Sequence, residues 1–175
     1  MDDLPTIGDF IRKNSFATLI TVDHGKPWAT HLPVELEVNA TGEKVLWCHV
    51  SKANPQWKTL SNDAEVLVIF SGPHSYISSS WYDHVNVPTW NYIAVHIYGK
   101  AKMMSDEELL ESLKRLVMKY ETISKKPVSV ETMPADYVKK EMKGIVGFEI
   151  SIHKIEGKWT ATTRTIKILL LNLKS

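Results

Sequence analysis

Thr89-Trp90-Asn91-Tyr92-Ile93-Ala94-Val95-His96-Ile97-Tyr98-Gly99-Lys100-Ala101-Lys102-Met103-Met104 is the stretch that decides the fold. Trp90, Tyr92, Ala94, His96 and Tyr98 alternate with Asn91, Ile93, Val95 and Ile97, which is the two-residue period of a β-strand. Both faces carry apolar bulk. The strand is therefore expected to be central, or to cross an interface, rather than to face water on one side. Downstream, residues 105–124 have helical spacing. Ser105 and Glu108 form a capping box, and Leu109, Leu113, Leu116, Val117 and Tyr120 make one apolar face. A weaker helix is expected over 134–143 and an alternating strand over 145–155. Upstream, strands are expected over 15–22, 28–38, 44–50, 65–71 and 74–79. Turn chemistry separates them at Asp23-His24-Gly25-Lys26-Pro27, at Asn39-Ala40-Thr41-Gly42-Glu43 and at Gly72-Pro73. A short helix over 6–14, capped by Thr6, precedes them. Another begins at Asn54-Pro55 and breaks at Ser61-Asn62-Asp63. Hairpins outnumber parallel crossovers. The fold class is mainly β (α+β), an antiparallel barrel of about six strands flanked by helices.

The chain has 175 residues, suiting one domain over 1–175, with 43% hydrophobic and 23% charged residues. Lys plus Arg is 21 against 20 Asp plus Glu, a net charge of +1 that excludes a strongly cationic surface overall. Cys48 is the single cysteine, so no internal disulfide forms; a buried structural thiol is the reading preferred over a nucleophile. The start, Met1-Asp2-Asp3-Leu4-Pro5, lacks a secretory pattern, and no run spans a bilayer. A cytoplasmic protein without membrane contact is expected.

No P-loop, G-x-G-x-x-G, H-E-x-x-H, zinc spacing or G-x-S-x-G occurs. Three polar-aromatic clusters stand out instead. His31 lies in Thr30-His31-Leu32-Pro33, as a site residue or as a hydrogen-bonded edge histidine. His49, Ser51, Lys52 and Asn54 lie in His49-Val50-Ser51-Lys52-Ala53-Asn54-Pro55-Gln56-Trp57-Lys58. Free backbone N–H groups at a helix start there suit a phosphate, and the bland alternative is a solvated loop with a cap. Ser79, Ser80, Trp81 and Tyr82 precede Trp90 and Asn91 at neighbouring strand ends. They suit a planar ring, or simply pack beneath a loop. Taken together, anion donors and flat walls match the chemistry of flavin mononucleotide (FMN).

On these residues the chain resembles the PaiB family, the FMN-binding negative transcriptional regulators of bacteria. The matching segments are Ala29-Thr30-His31-Leu32-Pro33, His49 to Trp57 as quoted above, Ser71-Gly72-Pro73-His74-Ser75-Tyr76-Ile77, Ser80-Trp81-Tyr82, Val87-Pro88-Thr89-Trp90-Asn91-Tyr92 and Ile155-Glu156-Gly157-Lys158-Trp159. The resemblance implies a split β-barrel of the flavin-reductase and pyridoxamine-phosphate-oxidase type, working as a homodimer with FMN between two chains. It implies Ser51, Lys52, Asn54, Ser79 and Ser80 on the phosphate side, Trp81, Tyr82, Trp90 and Asn91 near the ring, and His31 and His49 at its polar edge. A regulator or flavin-dependent sensor is the first expectation, a flavin oxidoreductase the second and a haem-binding barrel the third. Repression implies DNA as a partner, for which Lys139, Lys140 and Lys143 are a small basic face, or simply a solvated one; no helix-turn-helix is evident. The tail departs from the family. After Trp159 comes Thr160-Ala161-Thr162-Thr163-Arg164 and then an aliphatic run, where the family has a polar Ser-Gln-Asn stretch and a short helix. Codon choices exist for which the same bases, read two positions later, encode Ser-Asn-Asn-Gln-Asn-Asp-Lys-Asp, so a frameshifted end over 160–175 is expected, the alternative being a diverged strand or helix covering apolar surface.

Overall fold

The computed structural model describes residues 4–60 and 63–159. The expected break at Ser61-Asn62 and the atypical tail lie outside the described residues, as does the side chain of Thr6 that was expected to cap the first helix. Helix α1, Leu4–Lys13, buries Ile7 and Ile11 one turn apart, with Phe10 packed beside them. Strands β1 (Phe16–Asp23) and β2 (Lys26–Val38) pair through a two-residue turn. His24 and Gly25 have φ of 47° and 79°, as this tight hairpin requires. At the next turn Asn39 Oδ1 accepts the N–H groups of Thr41 and Glu43, and β3 runs Lys44–Ser51. Then follow β4 (Ala64–Ile77), β5 (Thr89–Met103), α2 (Asp106–Glu121), α3 (Ala135–Met142) and β6 (Ile145–Trp159).

The six strands close in the order β1-β2-β3-β6-β5-β4, every neighbour antiparallel. The β5 strand pairs with both β4 and β6, as every strand of a closed ring pairs on both sides. The expected turn at Gly72-Pro73 is a correction. A single strand runs from Ala64 to Ile77, and its register against β5 shifts between Ser71 and His74. Pro73 cannot donate to a ladder, and an irregularity absorbs it without reversing the chain. A Cβ on Gly72 would stand 2.6 Å from the Phe10 ring, so the absence of a side chain here lets Phe10 of α1 pack onto β4.

The core is aliphatic: Leu19, Val34, Leu46, Val68, Val95, Ile97 and Ile150 are fully buried, with Phe70 and Phe148 among them. Helices α2 and α3 lie against β6. The capping box forms as expected. The inner side of α2 is more polar than its spacing suggested. Leu109 is buried, but Tyr120 is half exposed and shares a 2.6 Å hydrogen bond with Ser15 Oγ. Arg115 and Lys119 bond Glu37 and Glu35 at 2.6 and 2.7 Å, which docks α2 against β2. Phe16, Tyr76, Trp90 and Tyr92, on β1, β4 and β5, are 67, 47, 58 and 40% exposed.

Candidate functional site

With all neighbours antiparallel, β1, β3 and β5 run one way and β2, β4 and β6 the other. The end of β3 therefore lies at one end of the barrel. The end of β4 and the start of β5 lie at the other. The expected site residues divide between these two ends.

At the first end, Ser51, Lys52 and Asn54 form a tight turn leading into a short 3-10 helix, Pro55–Thr59. The Lys52 N–H donates to Gly144 O at 2.8 Å, and the Lys52 carbonyl accepts Trp57 Nε1–H at 3.2 Å. Its backbone is thus held from both sides while its side chain is exposed. Asn54 Oδ1 accepts the Gln56 N–H, and its Nδ2 donates to Thr30 Oγ1 at 2.8 Å. That bond draws the strand carrying His31 against the turn. His31 itself is exposed, with its ring 6.4 Å from that of Phe16. The turn corrects the argument from free N–H groups. Ala53 N–H donates to Ser51 Oγ, Asn54 N–H to Ser51 O and Gln56 N–H to Asn54 Oδ1, while Pro55 has none. Any anion here meets the Lys52 ammonium and the Ser51 hydroxyl, not a helix terminus.

At the other end, Ser78 Oγ caps a short 3-10 turn, Ser79–Trp81, and lies 2.8 Å from Ser80 Oγ. Trp81 and Tyr82 are exposed by 68 and 40%. Trp90 stands edge-on to Tyr76, ring centres 5.8 Å apart, and 6.1 Å from the His74 ring. Asn91 is buried between the exposed Trp90 and Tyr92, so it faces inward, away from them. His74 and Tyr76, outside the expected site residues, also lie beside Trp90. The signal for them was the pairing of His74 with Tyr92 and of Tyr76 with Trp90 across β4 and β5, hidden by reading Gly72-Pro73 as a turn.

His49 lies two residues before Ser51. It is half-buried on β3 opposite Gly147, where α2 packs, and burial lowers its pKa so that the neutral imidazole prevails. The buried Cys48 thiol is pushed up to about 12 by desolvation, which fits the structural reading. Among the described residues no cluster of three or more His, Cys, Asp or Glu could hold a metal, and no helix is long and apolar enough to cross a membrane. A cleft of about 430 Å³ between α2 and the segment 127–132 lies among Glu111, Lys114, Met118 and Val128, apart from all these residues.

Residues 1–154 match a family model described as "Putative FMN-binding domain". The chain is 44% identical over 153 residues to "Protease synthase and sporulation protein PAI 2" of Bacillus subtilis, covering 87% of this chain and 73% of that protein. An FAD- and haem-binding protein of Mycobacterium smegmatis shares the fold with a TM-score of 0.66 at 15% identity, covering 96% of this chain and 78% of that one. A "Putative Pyridoxamine 5'-phosphate oxidase" of Listeria innocua does so with a TM-score of 0.50 at 19% identity, covering 87% and 95%. The barrel is thus of the split-barrel, pyridoxamine-phosphate-oxidase-like type expected.

Proposed function

This chain belongs to the PaiB family of FMN-binding domains, and from that premise we propose that it is a regulatory protein that binds FMN between two identical copies. The observation carrying the proposal is the division of its candidate residues. Lys52 and Ser51 supply a cation and a hydroxyl, suited to a phosphate, at one end of the barrel. Trp81, Tyr82 and Trp90 supply exposed aromatic walls, suited to an isoalloxazine ring, at the other. Each half fits one part of FMN, and the halves belong together only when a second copy meets the first. The outward aromatic residues Phe16, Tyr76, Trp90 and Tyr92 give that copy an apolar surface to cover.

In this arrangement Lys52 neutralises phosphate charge and Ser51 donates a hydrogen bond to it. Trp81 and Trp90 exclude water from the ring, and exposed His31 offers a ring nitrogen at its polar edge. When bound, FMN supplies a centre that can accept two electrons. The regulatory role is favoured over turnover because the name of the PAI 2 relative refers to protease synthesis and sporulation. The basic side chains of Lys139, Lys140 and Lys143, exposed on and after α3, are the proposed DNA contacts.

The test is an absorbance titration with FMN, with the molecular mass followed in parallel. Uptake of one FMN per chain into a dimer is expected. No uptake at micromolar FMN would sink the proposal, and a Soret band would replace FMN with haem. Rapid bleaching of bound FMN by NADH with steady turnover would favour an oxidoreductase. DNA binding should weaken steeply as salt rises; binding that ignores salt argues against direct repression.

A further inference from the structure

Gln56 is an unusual residue to find beneath a surface turn: its side chain is fully buried and polar. Nε2 donates to Thr21 Oγ1 at 3.1 Å, Trp28 O at 3.2 Å and Leu19 O at 3.4 Å, spanning β1 and β2. Two of these partners are backbone carbonyls, which can only accept, so the amide cannot be turned over without setting oxygen against oxygen. Among the described residues Oε1 meets no hydrogen-bond partner.

The backbone of Gln56 is engaged as well. Its N–H donates to Asn54 Oδ1, and its carbonyl accepts Thr59 Oγ1–H at 2.8 Å. Asn54 is tied in turn to Thr30 on β2, and neighbouring Trp57 holds the Lys52 carbonyl. Gln56 is thus the node through which the turn at 51–54 is fixed to β1 and β2. Lys52 and Ser51 project from that turn. A lysine ammonium on a four-carbon stem binds phosphate well only if its backbone is already in place, since an anchored backbone leaves less freedom to lose on binding.

We propose that Gln56, with Thr30 as its second tie, is a positioning residue that sets the turn at 51–54 against a phosphate and so determines preference for FMN over riboflavin. The inference rests on the phosphate reading of Lys52 and Ser51. In this proposal Gln56 and Thr30 act through the turn, not by touching the flavin.

The experiment compares FMN with riboflavin, which differ only in the phosphate. Flavin fluorescence titrations are run on the wild-type chain, on Gln56→Leu and on Thr30→Val. The second variant removes one hydroxyl at a partly exposed position and keeps the side-chain shape, so it tests the idea even where the first fails to fold. The wild type should prefer FMN. Each folded variant should lose about tenfold or more in FMN affinity, the scale of one charge-assisted hydrogen bond, with riboflavin affinity within about twofold. In the flavin-free protein, amide hydrogen exchange of the turn at 52–54 should quicken. Equal loss of both flavins, an unchanged FMN-to-riboflavin ratio or unchanged exchange in the turn would overturn the inference. A wild type that binds both flavins equally would instead overturn the phosphate reading beneath it.

Discussion

At His49 the environment sets the charge. Burial lowers its imidazole below the ordinary value of 6.5. The unfolded chain then takes up a proton as pH falls through that value, while the folded chain resists until lower pH. Bound protons are thus more numerous in the unfolded state, so stability rises with pH across this window and is lost on acidification. The melting temperature should fall between pH about 7.5 and about 5.5, and His49→Asn should flatten that slope. An identical slope in the variant would assign the loss to other groups. Lys52 shows the opposite case of an exposed charge on a fixed backbone. Lys52→Ala should weaken FMN binding by about 1–3 kcal/mol with the melting temperature nearly unchanged, and unchanged affinity would move the phosphate elsewhere.

Among the elements, the β5–β6 pair is the most demanding. Its register shifts between Tyr98 and Gly99. A Cβ on Gly99 would lie 2.6 Å from both Ile150 Cγ2 and the Ser151 backbone oxygen. A strand backbone has nowhere to retreat, so Gly99→Ala should cost about 1–3 kcal/mol, read as a lower urea midpoint at constant slope. A neutral result would mean that the bulge relaxes freely. This pair also shows how far local sequence reasoning reaches. The alternation from Trp90 to Tyr98 announces a strand, because side-chain period is a local property. Gly72-Pro73 misled, because the same dipeptide serves a turn or a bulge, and only pairing to Ala94 and Tyr92 decides which. The site divides similarly. Motifs pointed to Lys52 and Trp90, but their placement at opposite barrel ends follows from strand direction around a closed ring. Gln56 lay inside a quoted motif without a role, because its bonds reach residues 28 to 37 positions away.

For the whole molecule, the proposed pairing makes a prediction at Phe16, which is 67% exposed on β1. Phe16→Asp places a charge on the face proposed to meet the second copy. It should raise the dimer dissociation constant by about tenfold or more, on the scale of losing one buried aromatic contact, as read by sedimentation equilibrium. A variant that stays as dimeric as the wild type would put the contact on another surface. The ring of strands carries one more consequence. Neighbours β4 and β5 pair from Ala64 with Ala101 to Ile77 with Thr89, whereas β1 and β4 pair only from Thr18 with Ile69 to Ile20 with Leu67. The circle is thus closed by its shortest seam. If it parts there first, the product is an open six-stranded sheet with β1 and β4 as raw edges, and raw edges recruit other chains. A partner copy seated across this seam would act as a clasp, so concentration would protect the native barrel against aggregation.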